Sequence, residues 1–171
     1  MDVEQVFAAE AIAERVRALG AEVRRETGDG EVFLLCILKG ASFLLADLMR
    51  AISGPVGYGF IDVVRDVSDA DTATALEIDF LSHTDIRGRN VYILKDVVST
   101  GIIENYLLAQ LRQHQPASLH LVALLDRPSL RTVELQADHS LFEVGDGGFV
   151  GYGLELEEAH ANLPFIGRLR H

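Results

Sequence analysis

Cysteine is almost absent from this sequence, with Cys36 the only one among 171 residues. One thiol forms neither an intramolecular disulfide nor a thiolate metal cluster, and Val32-Phe-Leu-Leu-Cys36-Ile-Leu38 reads as a buried strand. Long apolar runs are missing too. No segment approaches the ~20 residues of a membrane span, and the amino terminus lacks the basic-then-apolar pattern of an export signal. The expectation is a cytoplasmic protein without membrane contact. Basic residues are scarce, with 15 Lys and Arg against 26 Asp and Glu, a net charge of -11. General nucleic-acid binding is excluded, because neutralising phosphates takes a basic face. A small phosphorylated ligand needs only a local cluster of donors, which this charge permits. His160 and the other histidines show no metal-ligand spacing, and there are no repeats or low-complexity tracts.

The length fits one domain, residues 1–171, large enough to bury a real core. Ala8 to Arg25 is predicted helical, with Ile12, Val16 and Leu19 on one face, and Thr27-Gly-Asp-Gly30 ends it. A strand over Glu31 to Leu38, a sharp turn at Lys39-Gly40 and a helix over Ala41 to Ile52 come next. Beyond them lie a strand over Val56 to Val64, a polar aperiodic stretch from Arg65 to Thr74 suited to a lid, and a short strand over Ala75 to Phe80. Later strands are predicted over Ser118 to Leu125, Leu141 to Val144 and Phe149 to Leu154. The glycine cluster Gly145-Asp-Gly-Gly148 precedes the last of these, and the acidic run Glu155 to Glu158 comes after it. Strands alternating with helices predict an α/β fold built on a parallel sheet.

The stretch from Asn90 to Glu104 carries the chemistry. Val91, Ile93 and Val97 alternate with Tyr92, Leu94 and Val98, so both strand faces are apolar, as inside a sheet covered on both sides. Lys95 and Asp96 fall at its carboxyl end. Ser99-Thr100-Gly101 form a tight turn, and Ile103, Leu107 and Leu111 recur at helical spacing behind it. Ligands of open α/β sheets bind at this edge, where free N–H groups at a helix start hold phosphate.

Ile37-Leu-Lys-Gly40, Leu94-Lys-Asp-Val-Val-Ser-Thr-Gly101, Leu124-Leu-Asp-Arg-Pro-Ser129 and Phe149-Val-Gly-Tyr-Gly-Leu-Glu155 resemble, in order and spacing, the successive motifs of the hypoxanthine-guanine phosphoribosyltransferase family. The resemblance runs from about residue 9 to the end. It implies the type I phosphoribosyltransferase fold, a mainly parallel five-stranded sheet flanked by helices with a small hood. It also implies transfer of ribose 5-phosphate from phosphoribosyl pyrophosphate to a purine nitrogen with Mg2+, in a homodimer or homotetramer. By the same resemblance Lys39-Gly40 match the pyrophosphate-binding turn, often entered through a non-proline cis peptide. Asp96 matches the second of two acids that hold the ribose hydroxyls. Ser99, Thr100, Gly101, Ile102 and Ile103 occupy the phosphate-cradling loop. Arg127 stands for a lysine that bonds the purine's exocyclic oxygen, keeping the charge and adding donors, with Phe149 and Val150 on the purine side.

Other positions depart from the pattern. Lys95 replaces the first acid of the ribose pair, and Ser99 replaces the aspartate that takes the purine proton. Ile103 replaces a phosphate-binding threonine. Gly147-Gly148 stand where the family has a lysine and a stacking aromatic, a part Phe149 can take after a small shift. Glu155, the metal candidate, replaces a magnesium-linked aspartate with a longer side chain, and Ala161 replaces an arginine that grips pyrophosphate. Val64-Arg-Asp66 lacks the lid's serine-tyrosine pair.

Plainer readings stand beside these. Lys39 is compatible with a surface turn, Asp96 and Thr100 with helix capping, Arg127 with a solvated loop charge, Gly145 to Gly148 with a flexible hairpin, and Glu155 to Glu158 with a solvated face. Lys95 has three options: pairing with Asp96, facing ligand phosphates, or turning to solvent. The sequence supports two functions. One is a purine phosphoribosyltransferase. The other is a catalytically degenerate relative that senses a purine nucleotide or phosphoribosyl pyrophosphate, or supports a partner subunit.

Overall fold

The computed structural model describes residues 2–65, 76–80 and 85–170. The expected lid lies outside the described residues from position 66 onward, as does position 75, the expected start of the next strand.

The core is set by strands apolar on both faces. In β2 (Val32–Ile37) all six residues are buried. Alternation sends Val32, Leu34 and Cys36 into one apolar cluster and Phe33, Leu35 and Ile37 into another across the sheet. β5 (Asn90–Val98) and β6 (Ser118–Asp126) divide likewise, Tyr92, Leu94, Val122 and Leu124 going to the first cluster and Val91, Ile93, Leu121 and Ala123 to the second. With β3 (Val56–Arg65) beside β2 and β7 (His139–Glu143) beside β6, the parallel order is β3-β2-β5-β6-β7. β4 (Leu76–Phe80) adds an antiparallel sixth strand at the β3 edge.

Helices cover both faces, which is why β2 reads as apolar throughout. On one face α1 (Ala9–Thr27) buries Ile12, Val16, Leu19 and Val23, and α2 (Ser42–Ala51) buries Leu44, Leu45 and Leu48. The two cross closely at Gly20, where a Cβ would stand 2.8 Å from the Ala51 carbonyl oxygen. On the other face α3 (Ile102–Arg112) buries Leu107, Leu108 and Leu111.

A second sheet, β1-β9-β8, stands apart. It joins β1 (Asp2–Phe7) to β9 (Ile166–Arg170) and β9 to the two-residue β8 (Phe149–Val150), all antiparallel. It is pinned to the main core by buried Phe149 and Ile166 and by the Phe7–Phe142 stack at 4.0 Å. The expected strand over Phe149 to Leu154 therefore stops at Val150. Gly151 and Gly153 have φ of +94° and +92°, and Gly151 exchanges backbone hydrogen bonds with Leu154 in a tight turn. Side chains do not fit there, since a Cβ on Gly153 would lie 2.5 Å from the Gly40 carbonyl oxygen.

Candidate functional site

Strand order brings the predicted positions together. β2, β5 and β6 are neighbours, so the turn after β2, the end of β5 and the loop after β6 share one sheet edge. Lys39, Gly40, Asp96, Arg127, Phe149 and Glu155 line a single cleft of about 430 Å³ there. This is the carboxyl edge where parallel α/β sheets bind ligands.

The turn after β2 begins with a cis Leu38–Lys39 peptide. Gly40 is wedged against Asp96, since a Cβ at Gly40 would stand 2.2 Å from Asp96 Oδ2. Asp96 Oδ1 accepts hydrogen bonds from Lys95 Nζ and the Val97 amide, both at 2.7 Å. Of the three options open to Lys95, the structure shows the pair with Asp96. Across the cleft Lys39 Nζ meets Glu155 Oε1 at 2.5 Å, and this hydrogen bond holds the Lys39 pKa above its ordinary value. Lys39 is largely exposed, so the pair adds little to the stability of the fold.

The phosphate-loop candidates sit beside the cleft and do not line it. Gly101 is the N-cap of α3 in the left-handed region, φ +80°, and the helix has no side-chain cap hydrogen bond. The first N–H groups of a helix have no intrahelical partner, so the turn at Ser99 to Ile103 offers donors to an anion. Ile102 is exposed and Ile103 half-buried. Thr100 Oγ1 stands 3.4 Å from the Ile102 amide, a weak contact.

At the position expected to face the purine, Arg127 donates to the Gly147 carbonyl oxygen and lies 3.8 Å from Asp146. Its guanidinium is 5.5 Å from the Phe149 ring centre, and that of Arg168 is 5.0 Å. Phe149 and Val150 are buried in the short edge strand β8. A Cβ at Gly148 would meet Leu156 Cδ1 at 2.7 Å, so Leu156 reaches the space this glycine leaves. Ala161 contributes a backbone contact, its carbonyl oxygen accepting the Gly153 amide at 3.0 Å.

Sequence reasoning missed the support behind the loop. Arg131, 10% exposed in its side chain, pairs with Asp126 at 12%. It also donates to the Ser99 carbonyl oxygen at 2.6 Å and the Leu135 carbonyl oxygen at 3.1 Å. Arg131 comes directly after a three-residue 3-10 turn, Pro128–Leu130, and no periodicity marks its direction. The one available hint is Pro128, which marks a turn but not the direction in which the chain leaves it.

A resident magnesium ion fits these residues poorly. The metal candidate, Glu155, already holds the Lys39 ammonium at 2.5 Å, and its cleft neighbour Asp96 holds that of Lys95 at 2.7 Å.

Parallel sheet, helix-start loop and cleft define an α/β protein with a ligand-binding edge, and comparison with known proteins narrows the class. Residues 2–156 match the phosphoribosyl transferase domain family. The hypoxanthine-guanine phosphoribosyltransferase of Bacillus subtilis is 35% identical, the alignment covering 99% of this chain and 94% of that protein. A crystal structure of a hypoxanthine-guanine phosphoribosyltransferase from Bacillus anthracis superposes with TM-score 0.87 at 29% identity, over 99% of this chain and 100% of that one. A hypoxanthine phosphoribosyltransferase from Staphylococcus aureus gives 0.88 at 28% identity, over 98% and 91%. The chain belongs to the hypoxanthine-guanine phosphoribosyltransferase family.

Proposed function

We propose that this protein is a purine phosphoribosyltransferase of the hypoxanthine/guanine type, carried by one domain and acting in the cytoplasm as a homodimer or homotetramer. The observation that carries the reading is the convergence of Lys39, Gly40, Asp96, Arg127, Phe149 and Glu155 on one cleft beside the uncapped start of α3.

In this reading the Ser99 to Ile103 turn holds the 5-phosphate through backbone N–H groups. Asp96, oriented by Lys95 and its neighbouring amide, receives the ribose hydroxyls. The Lys39-Gly40 turn takes the pyrophosphate, so the Lys39–Glu155 pair must open. Arg127 donates to the purine's exocyclic oxygen while Phe149 and Val150 form the adjoining wall. Ser99 is a poor proton acceptor near neutral pH. Lacking a positioned general base typically costs 10²–10⁴-fold, which slows the transfer without forbidding it, because the purine nitrogen can lose its proton to water.

The test is incubation with phosphoribosyl pyrophosphate and each of hypoxanthine, guanine, xanthine and adenine, with and without magnesium, then assay of nucleotide and pyrophosphate. Nucleotide formed from a 6-oxopurine supports the proposal. Its absence with all four bases overturns it.

A further inference from the structure

At the far end of the sheet from the cleft, three side chains from three elements converge. Glu26 lies in the last turn of α1, His120 near the start of β6, and His139 at the start of β7. Strand register brings them together. His139 pairs with Val122, two residues beyond His120 on the same face of β6, and His120 pairs with Tyr92 of β5. His139 Nε2 stands 3.2 Å from Glu26 Oε1 and 3.3 Å from Oε2. Ligand atoms of all three residues fall within 4.8 Å of one another. We infer that Glu26, His120 and His139 bind a divalent transition-metal ion of the zinc type.

Two imidazoles and a carboxylate form a donor set typical of zinc with an open fourth position, whereas magnesium and calcium favour all-oxygen sites. Ligands of a tetrahedral zinc stand roughly 3.3 Å apart, given metal–nitrogen bonds of ~2.0–2.1 Å. Glu26 and His139 already meet that spacing, so His120 has at most about 1.5 Å to close.

An isolated histidine–carboxylate ion pair accounts for two of the three residues and leaves out the surroundings. The buried Tyr92 hydroxyl donates to Glu26 Oε2 at 2.7 Å, and the Tyr92 ring stacks on His120 at 4.7 Å. Glu22 Oε2 lies 3.9 Å from His139 Nδ1, the nitrogen turned away from Glu26. Outer partners of this kind orient metal ligands. A cavity of about 240 Å³ lined by Glu22, Asp138 and His139 opens alongside. The bound ion ties the end of α1 to β6 and β7, a clamp remote from the cleft. The chain-order spacing of the three residues resembles no metal motif, because parallel pairing alone brings them together.

The test is titration of the full chain with zinc in excess magnesium by calorimetry, and with cobalt by visible absorption. The expected result is one ion per chain, a visible band of four-coordinate cobalt, and a thermal midpoint that rises with zinc. His139→Ala and His120→Gln each lower affinity more than about tenfold and Tyr92→Phe less, while Asp96→Asn in the cleft leaves it unchanged. Circular dichroism identifies any variant that fails to fold, and the remaining histidine variant then decides. No zinc binding, or equal affinity in wild type and folded histidine variants, overturns the inference.

Discussion

Replacing Arg131 by methionine tests whether the phosphate loop is held from behind. Arg131 fills a nearly buried position and serves three acceptors at once, the Asp126 carboxylate and the carbonyl oxygens of Ser99 and Leu135. Methionine keeps much of the volume and removes every donor. Asp126 is then left as a buried charge without its counter-ion, a change that costs about 3–5 kcal/mol. Domains of ordinary size have about 5–15 kcal/mol in all, so the variant should fold with a sharply lower denaturation midpoint. At about 2–4 °C per kcal/mol for a chain of this length, the melting temperature falls by roughly 6–20 °C. The chain has no tryptophan, so urea unfolding is monitored by circular dichroism. The double variant Asp126→Leu with Arg131→Met removes both charges and should recover much of the loss, giving a non-additive cycle of about 2 kcal/mol or more. Its stability returns, but its affinity for inosine monophosphate does not, because the Ser99 carbonyl still lacks its anchor. A single variant destabilised by less than about 1 kcal/mol, or a double variant that also regains full nucleotide affinity, refutes the reasoning.

Four further outcomes are expected. Ser99→Asp restores a carboxylate proton acceptor and should raise the purine transfer rate by at least about tenfold; an unchanged rate places the limitation elsewhere, at the pyrophosphate side around Ala161. Lys95→Glu removes the ammonium 2.7 Å from Asp96 and changes local charge by two units, so phosphoribosyl pyrophosphate binding should become more dependent on magnesium than in wild type, measured by affinity with and without the ion. Gly40→Ala forces a methyl group to within 2.2 Å of Asp96 Oδ2 and should weaken phosphoribosyl pyrophosphate binding by more than about tenfold; calorimetry showing wild-type affinity contradicts the wedge. Cys36 is fully buried, and burial pushes its thiol from 9.0 up to about 12, lowering the thiolate fraction near pH 8 about a thousandfold; a disulfide reagent should label it only after unfolding, and prompt labelling of the native protein disproves the burial argument.

How much was legible in the sequence depended on how local the cause was. β2, β5 and β6 announced themselves because both faces are apolar, and the stripes of α1 and α3 needed only helical periodicity. Lys39, Asp96 and Arg127 could be placed at one edge because each comes after a strand and parallel strands share an edge. The second sheet resisted, since β1 alternates weakly, with Val6 exposed, and owes its conformation to β9 at the other end of the described chain. The turn at Gly151 to Leu154 read as strand because its residues are apolar, while the close passage of Gly40 that demands glycine comes from a distant segment. The Ser99 partner of Arg131 was unreadable for the same reason. A side chain's type states which bonds it can make and leaves open which neighbour the fold supplies.

The pairing of β1 with β9 has a kinetic meaning. Strands of the parallel core pair over shorter stretches of chain, whereas this pair must close a loop spanning nearly the whole described chain. Such closure costs little extra free energy because the entropy grows only logarithmically with length, but contacts of this range slow folding. The second sheet is therefore expected to close late in folding. Phe149 and Val150 pair with β9 at Arg168 and Gly167, while Phe149 also packs into the main core. The wall proposed for the purine therefore rests partly on a pairing between the two ends of the described chain, whereas the Ser99 to Ile103 turn lies between β5 and α3.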